Sequence, residues 1–375
     1  MASLNIQDKE GVSLIRYTLI RTVWVFIILV TVLTINFILL KNAPEFPPPD
    51  QEQRDIYYNR QVSDGFMTIV LERDAETIGN IRRALLGDTE AYTLVRNARY
   101  VDEGDQFRIY KPVPLINQYF FWVRNIVTDW NWGYSTRVQP NVPVWNVLSS
   151  RIPVTVRLNI VALFFYIPIG FALGIIAALR KNTLTDNLIS LGVMIFISLP
   201  SFVIMTFLVL IFGYTLGWLP TQFPAADVTG SIRYTALILP VFGLSFGAIA
   251  SLTRTSRAEL TEVLTSEFLL LARTKGLTQT QAVLRHALRN SMVPLVPGII
   301  GSFVGLLSGS VIIELIYSIP GTGRIFIRAM TQNNYDYNLI LGITAFYTIV
   351  SLFAILLVDL SYGIVDPRIR MGARK

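Results

Sequence analysis

The chain has 375 residues, 52% of them hydrophobic and only 15% charged, with a formal net charge of +7. Soluble domains carry about 25% charged residues, so this balance, with a mean hydropathy of +0.50, points to a membrane protein. The absence of cysteine excludes disulfides, thiolate metal sites and cysteine nucleophiles, and a single histidine, His286, excludes a multi-histidine site.

A bilayer core about 30 Å thick needs roughly 20 mostly apolar residues per helix. Six stretches meet that demand: about Tyr17–Leu40, Leu158–Leu179, Leu188–Phe212, Ala236–Leu252, Val293–Tyr317 and Leu339–Ile364. The first has too long an apolar run for a signal core and no small-residue cleavage site after it, so it reads as a retained span. The expected fold is an all-α polytopic membrane protein with six transmembrane helices and both termini cytoplasmic.

Its parts are an N-terminus and first helix (1–41), an extracytoplasmic segment (42–157), a five-helix core (158–364) holding a cytoplasmic loop (253–292), and a cytoplasmic tail (365–375). The orientation follows from Lys and Arg. Lys9, Arg16 and Arg21, then Arg180 and Lys181, then Arg254, Arg257, Arg273, Lys275, Arg285 and Arg289, then Arg368, Arg370, Arg374 and Lys375 fall on one side if there are six spans. The stretch from Asp50 to Tyr110 carries 12 acidic residues against 8 arginines, which suits the opposite side.

Within the outer segment, "PEFPPPD" from Pro44 reads as a stiff spacer and Asp74–Asp88 as a short helix. Trp122, Trp130, Trp132 and Trp145 suit either an interfacial belt or packing within the segment. Pro168, Pro200, Pro240, Pro294 and Pro297 sit within or at the edge of spans and are expected to kink their helices. Gly301, Gly305 and Gly309, with Ser302 beside them, give a small-residue face for helix packing or for lining a path. Glu314 and Asp359 lie near span ends, where solvation is expected; no deeper acidic or histidine relay is present, which argues against a proton-driven transporter.

The loop 253–292 is about 40 residues long. Ser266 is placed to cap a helix from Glu267, Arg273 and Lys275 fall in its last turn, and Gly276 fits the left-handed position that ends it. Thr278 and Gln281 form a capping box for a second helix. A nine-residue helix is marginal alone and must dock on something: DNA, lipid or a groove on a partner protein. Membrane spans on both flanks make DNA awkward.

"SEFLLLARTKGLTQTQAVLRHALRNSMVPLVP", Ser266–Pro297, resembles the cytoplasmic loop of the dipeptide/oligopeptide permeases of the ABC importers. The likeness extends from about Pro112 to Arg370 through "WGYS" (Trp132–Ser135), "SRIPVTVRL" (Ser150–Leu158), "SLPSFV" (Ser198–Val203), "LGWLP" (Leu216–Pro220), "IPGTGR" (Ile319–Arg324) and "VDPRIR" (Val365–Arg370). The Glu-Ala-Ala opening of the wider superfamily is reduced here to Leu270-Leu271-Ala272, and the segment from Asp50 to Tyr110 is longer than the family leads one to expect.

The resemblance implies a peptide importer's permease subunit in a bacterial plasma membrane. Its partners would be a homologous second permease, one or two ATPase subunits and an extracytoplasmic peptide-binding protein, with membrane lipid around it and no nucleic acid. It also implies coupling to the ATPases through Glu267, Leu269, Leu270, Ala272, Arg273, Lys275, Gly276 and Leu277, and an external gate region at Pro320, Gly321 and Gly323. None of the six lysines follows a glycine, so no phosphate-binding Gly-Lys-Ser/Thr loop exists. The chain is read as non-enzymatic, with no cofactor or metal of its own and ATP and Mg on the partner subunits. Related permeases serve nickel or oligosaccharides, and a membrane receptor or scaffold is the alternative from another class.

Overall fold

The computed structural model describes residues 4–43, 51–72, 74, 76, 78–79, 82–83, 99–102, 107–224, 232–331 and 335–365. The spacer at 44–50, most of the helix expected over 74–88 and the tail 366–375 lie outside the described residues. Two compact units emerge. One comprises Met1–Val30, Ser150–Ile327 and Phe346–Lys375; the other comprises Thr31–Ser149 and Arg328–Ala345.

The chain begins with α1 (Leu4–Asn42) and α2 (Gln51–Ser63). Strands β1 (Met67–Glu72), β2 (Arg99–Asp102) and β3 (Phe107–Pro112) then form an antiparallel sheet in the order β1-β3-β2, in which Met67 pairs with Pro112 and Arg99 with Tyr110. This corrects the all-α expectation: "MTIVLE" and "FRIYKP" are short runs with β-branched and aromatic residues, which favour a pleated surface. Tyr110 of β3 is buried, stacks on Tyr58 of α2 at 4.9 Å, and donates its hydroxyl to Asp55 at 3.0 Å.

After the sheet comes α3 (Leu115–Asp129), which buries Gln118 and Trp122. The tryptophans form a chain of edge-to-face rings. Trp122 meets Trp132 at 6.3 Å, Trp132 meets Trp130 at 5.6 Å, and Trp130 meets Trp145 at 5.3 Å. Trp122 and Trp132 are buried and pack; Trp130 and Trp145 are exposed, as an interfacial position would require.

The core helices are α4 (Val144–Leu179), α5 (Leu184–Ser198), α6 (Ser201–Leu208, extended by a π-helical stretch Val209–Thr215), α7 (Ile232–Thr235) and α8 (Ile238–Leu264). They are followed by α9 (Glu267–Thr274), α10 (Gln279–Ala282), a π-helical stretch Val283–Ala287, α11 (Leu288–Ile316), α12 (Thr322–Ala329) and α13 (Tyr337–Val365). Among the described residues five helical segments are long and apolar enough to cross a bilayer, and a sixth crossing is available from the pair α5 and α6.

That pair is the main departure from the expected spans. The stretch expected as one helix is bent by 102° at Leu199-Pro200. Proline pushes the residue before it out of the helical region; Leu199 accordingly has ψ 126° and Pro200 starts the next helix. Each half has 15 residues, about 22 Å at 1.5 Å per residue, too short to cross alone. Pro240, by contrast, lies in the first turn of α8, where its missing N–H leaves no bond unmade.

The loop expected over 253–292 is mostly helix. α8 runs on to Leu264, and α10 continues through the π-helical stretch into α11. Only about 14 residues, including α9, separate the two long helices.

Leu158, Tyr166, Met205, Leu239, Leu252, Ile313 and Tyr317 form the main core of this unit. A close helix contact within this unit is α4 against α8. A Cβ on Gly174 would lie 2.6 Å from that of Ser256, and one on Gly170 would lie 3.0 Å from Leu252. Gly170-Phe-Ala-Leu-Gly174 is thus the small-xxx-small seam that lets the backbones approach, and Thr253 donates to the Gly170 carbonyl at 3.2 Å.

Candidate functional site

The loop between α8 and α11 is built from its caps inward. Ser266 sits at the N-cap of α9 with ψ 147°, but its hydroxyl donates back to the Val263 carbonyl instead of capping α9, which corrects the expected role. At the other end Gly276 has φ +94°. Its N–H bonds the Arg273 carbonyl at 3.0 Å, and the Leu277 N–H bonds Ala272 at 3.4 Å. These are the two bonds of a Schellman stop, in which glycine occupies the left-handed position without a Cβ penalty. The capping box follows as expected: the Gln281 N–H donates to the Thr278 hydroxyl at 3.3 Å, and the Thr278 N–H donates to the Gln281 side chain at 3.2 Å.

These caps fix which way α9 faces. Leu269 and Ala272 are buried, and Leu269 forms a small core with Ala178 of α4, Leu260 of α8, Ala282 and Ala287; Leu277 packs against its edge. Phe268, Leu270 and Leu271 are exposed, Leu270 at 63%, and Glu267, Arg273, Lys275 and Gly276 are also exposed. The helix therefore has an inner face that holds it to its own chain. Its outer face presents three large apolar residues and two cations.

At the other end of α11, "PGTGR" forms the entry to α12. Glu314 is fully buried, against the expectation of a solvated span end. Its carboxylate accepts the Thr155 hydroxyl at 2.7 Å, the Gly323 N–H at 2.8 Å and the Arg324 N–H at 3.2 Å. It thus supplies the cap that α12 lacks in sequence, at the positive end of the helix. Thr155 in turn accepts the Thr322 N–H at 2.8 Å, and Thr322 pairs with the Tyr347 hydroxyl at 3.0 Å. The glycines make room for this. A Cβ on Gly321 would run into the Glu314 carboxylate and lie 2.5 Å from the Thr155 hydroxyl, and one on Gly323 would lie 2.5 Å from the Val311 Cα. Pro320 precedes them and lines a cavity of about 560 Å³ with Val154, Arg157 and Arg233.

The small-residue face of α11 behaves differently. The nearest atom to a Cβ on Gly301 would be Val358 at 4.0 Å, and Gly298 has none within 4 Å, so within the chain this face is open at those positions. Ser302 meets the Tyr166 hydroxyl and lines a cavity of about 160 Å³ with Ser251, Thr255, Pro294 and Gly298. Gly305 and Gly309 lie on α11, and their surroundings fall outside the described residues.

One pair escaped the sequence reading. Asp186, in the first turn of α5, is buried and receives Arg257 of α8 in a two-pronged contact: Nε to Oδ1 at 2.6 Å and Nη2 to Oδ2 at 2.8 Å. The Asn182 N–H adds a third bond at 3.0 Å. Planar fork-to-carboxylate pairs are among the strongest polar contacts.

Residues 170–371 match the family of the binding-protein-dependent transport system inner membrane component. The chain belongs to this family. It is 36% identical to the dipeptide transport system permease protein DppB of Bacillus subtilis over 69% of this chain and 80% of the relative. It is 34% identical to the oligopeptide transport system permease protein OppB of Escherichia coli over 68% and 81%. Among solved structures it is similar to the MetNI methionine ABC transporter, at 17% identity and a TM-score of 0.48, over 59% of this chain and 96% of that one. As a member of the binding-protein-dependent permeases, the chain is a multi-pass inner-membrane transport subunit of an ABC importer, in the dipeptide/oligopeptide permease group.

Proposed function

We propose that this permease carries peptides inward as one half of a translocation path, driven by ATP hydrolysis on separate subunits that dock on α9. The observation that carries the docking is the outer face of α9. Phe268, Leu270 and Leu271 are exposed on a helix too short to persist unaided, while Leu269 roots it to Ala178 of α4 and Leu260 of α8. Exposed apolar residues on a rooted short helix suit insertion into a groove, and Arg273 and Lys275 complement an acidic rim. The peptide cargo rests on the relatives, whose names specify dipeptide and oligopeptide transport. The remaining partners are a second homologous permease and an extracytoplasmic peptide-binding protein.

The topology that this requires has support within the larger unit. Arg21 of α1 and Asp359 of α13 approach to 3.3 Å, which puts the start of the first span and the end of the last at one level. That level supports an even number of crossings, with α5 and α6 together as one. The basic clusters then share the cytoplasmic side, with α9.

The test is reconstitution with the ATPase subunits, the second permease and the binding protein, followed by uptake of labelled dipeptides and oligopeptides. ATP-dependent accumulation supports the proposal. Assembly without uptake of either class would remove the peptide assignment; failure to recover ATPase subunits at all would remove the docking.

A further inference from the structure

We propose that the groove between α5 and α8 holds one anionic phospholipid, its headgroup on Arg254 and an acyl chain along the apolar floor. Two adjoining cavities form the groove. The first, about 480 Å³, is lined by Ile189, Val193, Met194 and Ile197 of α5 and by Arg254 and Arg257 of α8. The second, about 310 Å³, shares Ile189, Val193 and Thr253 with it and runs on beside Gly192, Phe196 and Phe246. Phe196 and Phe246 stack at 4.8 Å, so the two helices close on one another beyond the groove.

The occupant follows from charge and surroundings. A groove opening from membrane-crossing helices does not stay empty, because its walls would forfeit their contacts, and hydrocarbon is the material at hand. What selects among lipids is the polar end. Arg257 is committed to Asp186. Arg254, one turn earlier on the same helix, is exposed at the groove mouth, with no carboxylate partner among the described residues. Arg180 and Lys181 lie in the turn whose Asn182 N–H bonds Asp186, at the same end of α5. Arg254 and Arg257 line the cavity above an apolar floor, and the one buried carboxylate there is already paired with Arg257. Basic pockets between membrane helices are where anionic headgroups bind.

The test uses the full chain purified in detergent, with phosphatidylglycerol and phosphatidylcholine of matched acyl chains, and native mass spectrometry to count retained lipid. The wild type should keep one phosphatidylglycerol with several-fold preference over phosphatidylcholine. Arg254→Ala should bring the two to near parity, and Arg254→Lys should restore the preference. Gly192→Leu should lower retention of both lipids, because Gly192 lines the groove and a Cβ there meets nothing within 4 Å. Equal retention by the wild type, or an intact preference in Arg254→Ala, would overturn the proposal. So would a Gly192→Leu variant that keeps its full complement of lipid, since that result places the bound lipid outside the groove.

Discussion

Replacing Gly276 by valine tests how α9 is held, and the structure sets the size of the effect. The residue has φ +94°, and a Cβ built on it meets no heavy atom within 4 Å. The Cβ itself meets no clash, so the cost is set by the backbone. Left-handed geometry costs a residue with a Cβ about 1–2 kcal/mol, and a β-branched residue stands at the upper end. The Schellman bonds from Gly276 and Leu277 are what that strain works against. A shift of that size changes a local equilibrium about 5–30-fold, enough to loosen an eight-residue helix while leaving the long helices intact. ATP hydrolysis and peptide uptake should be measured together in proteoliposomes of the reconstituted complex. ATP consumed per peptide should rise several-fold in Gly276→Val, with Gly276→Asn closer to wild type because asparagine tolerates this region. A valine variant with the wild-type ratio would refute the reasoning.

Three further outcomes follow from the geometry. Gly321→Ala pushes a methyl group into the Glu314 carboxylate and the Thr155 hydroxyl; overpacking of this kind costs about 1–3 kcal/mol, so thermal unfolding in detergent should come earlier, whereas an unchanged midpoint would show that the cluster yields freely. Asp186→Asn keeps the shape of the buried pair but removes its charge; hydrogen bonds to charged groups contribute about 1.5–3 kcal/mol, and with the Arg257 side chain 32% exposed the loss should sit at the lower end, read by denaturant titration. Burial raises the Asp64 carboxyl above its usual range, against the Asn131 hydrogen bond and the positive charges of Lys41 and Arg60. A folded-state value above the unfolded one adds stability that is full below the unfolded value and is lost as pH rises through the folded one; Asp64→Asn should therefore flatten the fall in stability across the acidic-to-neutral range, and an unchanged pH profile would count against that assignment.

The helical spans are visible in the sequence because apolar runs of this length suit little but a bilayer. The loop's caps are visible because Gly276, Thr278 and Gln281 act on their immediate neighbours. The features that stay hidden depend on distant partners. Nothing near Glu314 announces that Thr155, 159 positions away, and the α12 N–H groups will close around it. Asp186 and Arg257 stand 71 positions apart. Pro200 was legible as a kink within the span expected over Leu188–Phe212, but a proline in an apolar run does not say whether the helix kinks or turns through 102°. Gly170 and Gly174 carry a readable signal at four-residue spacing, yet Gly301, Gly305 and Gly309 carry the same one, and spacing alone does not say which face meets another helix. The inner and outer faces of α9 could not be separated from an eight-residue pattern in which Phe268, Leu269, Leu270 and Leu271 are all apolar; only the core formed with Ala178 and Leu260 distinguishes them.

That separation gives the most direct test of the central claim. The chain contains no cysteine, so a single one can be placed at will and joined to a partner by a short thiol cross-linker. Leu270→Cys, on the outer face of α9, should cross-link to an ATPase subunit in membranes holding the whole complex, and the adduct should depend on nucleotide. Leu269→Cys, buried one position earlier, should not. Equal cross-linking from both positions, or none from Leu270→Cys in an assembled complex, would contradict the docking of α9 on the ATPase.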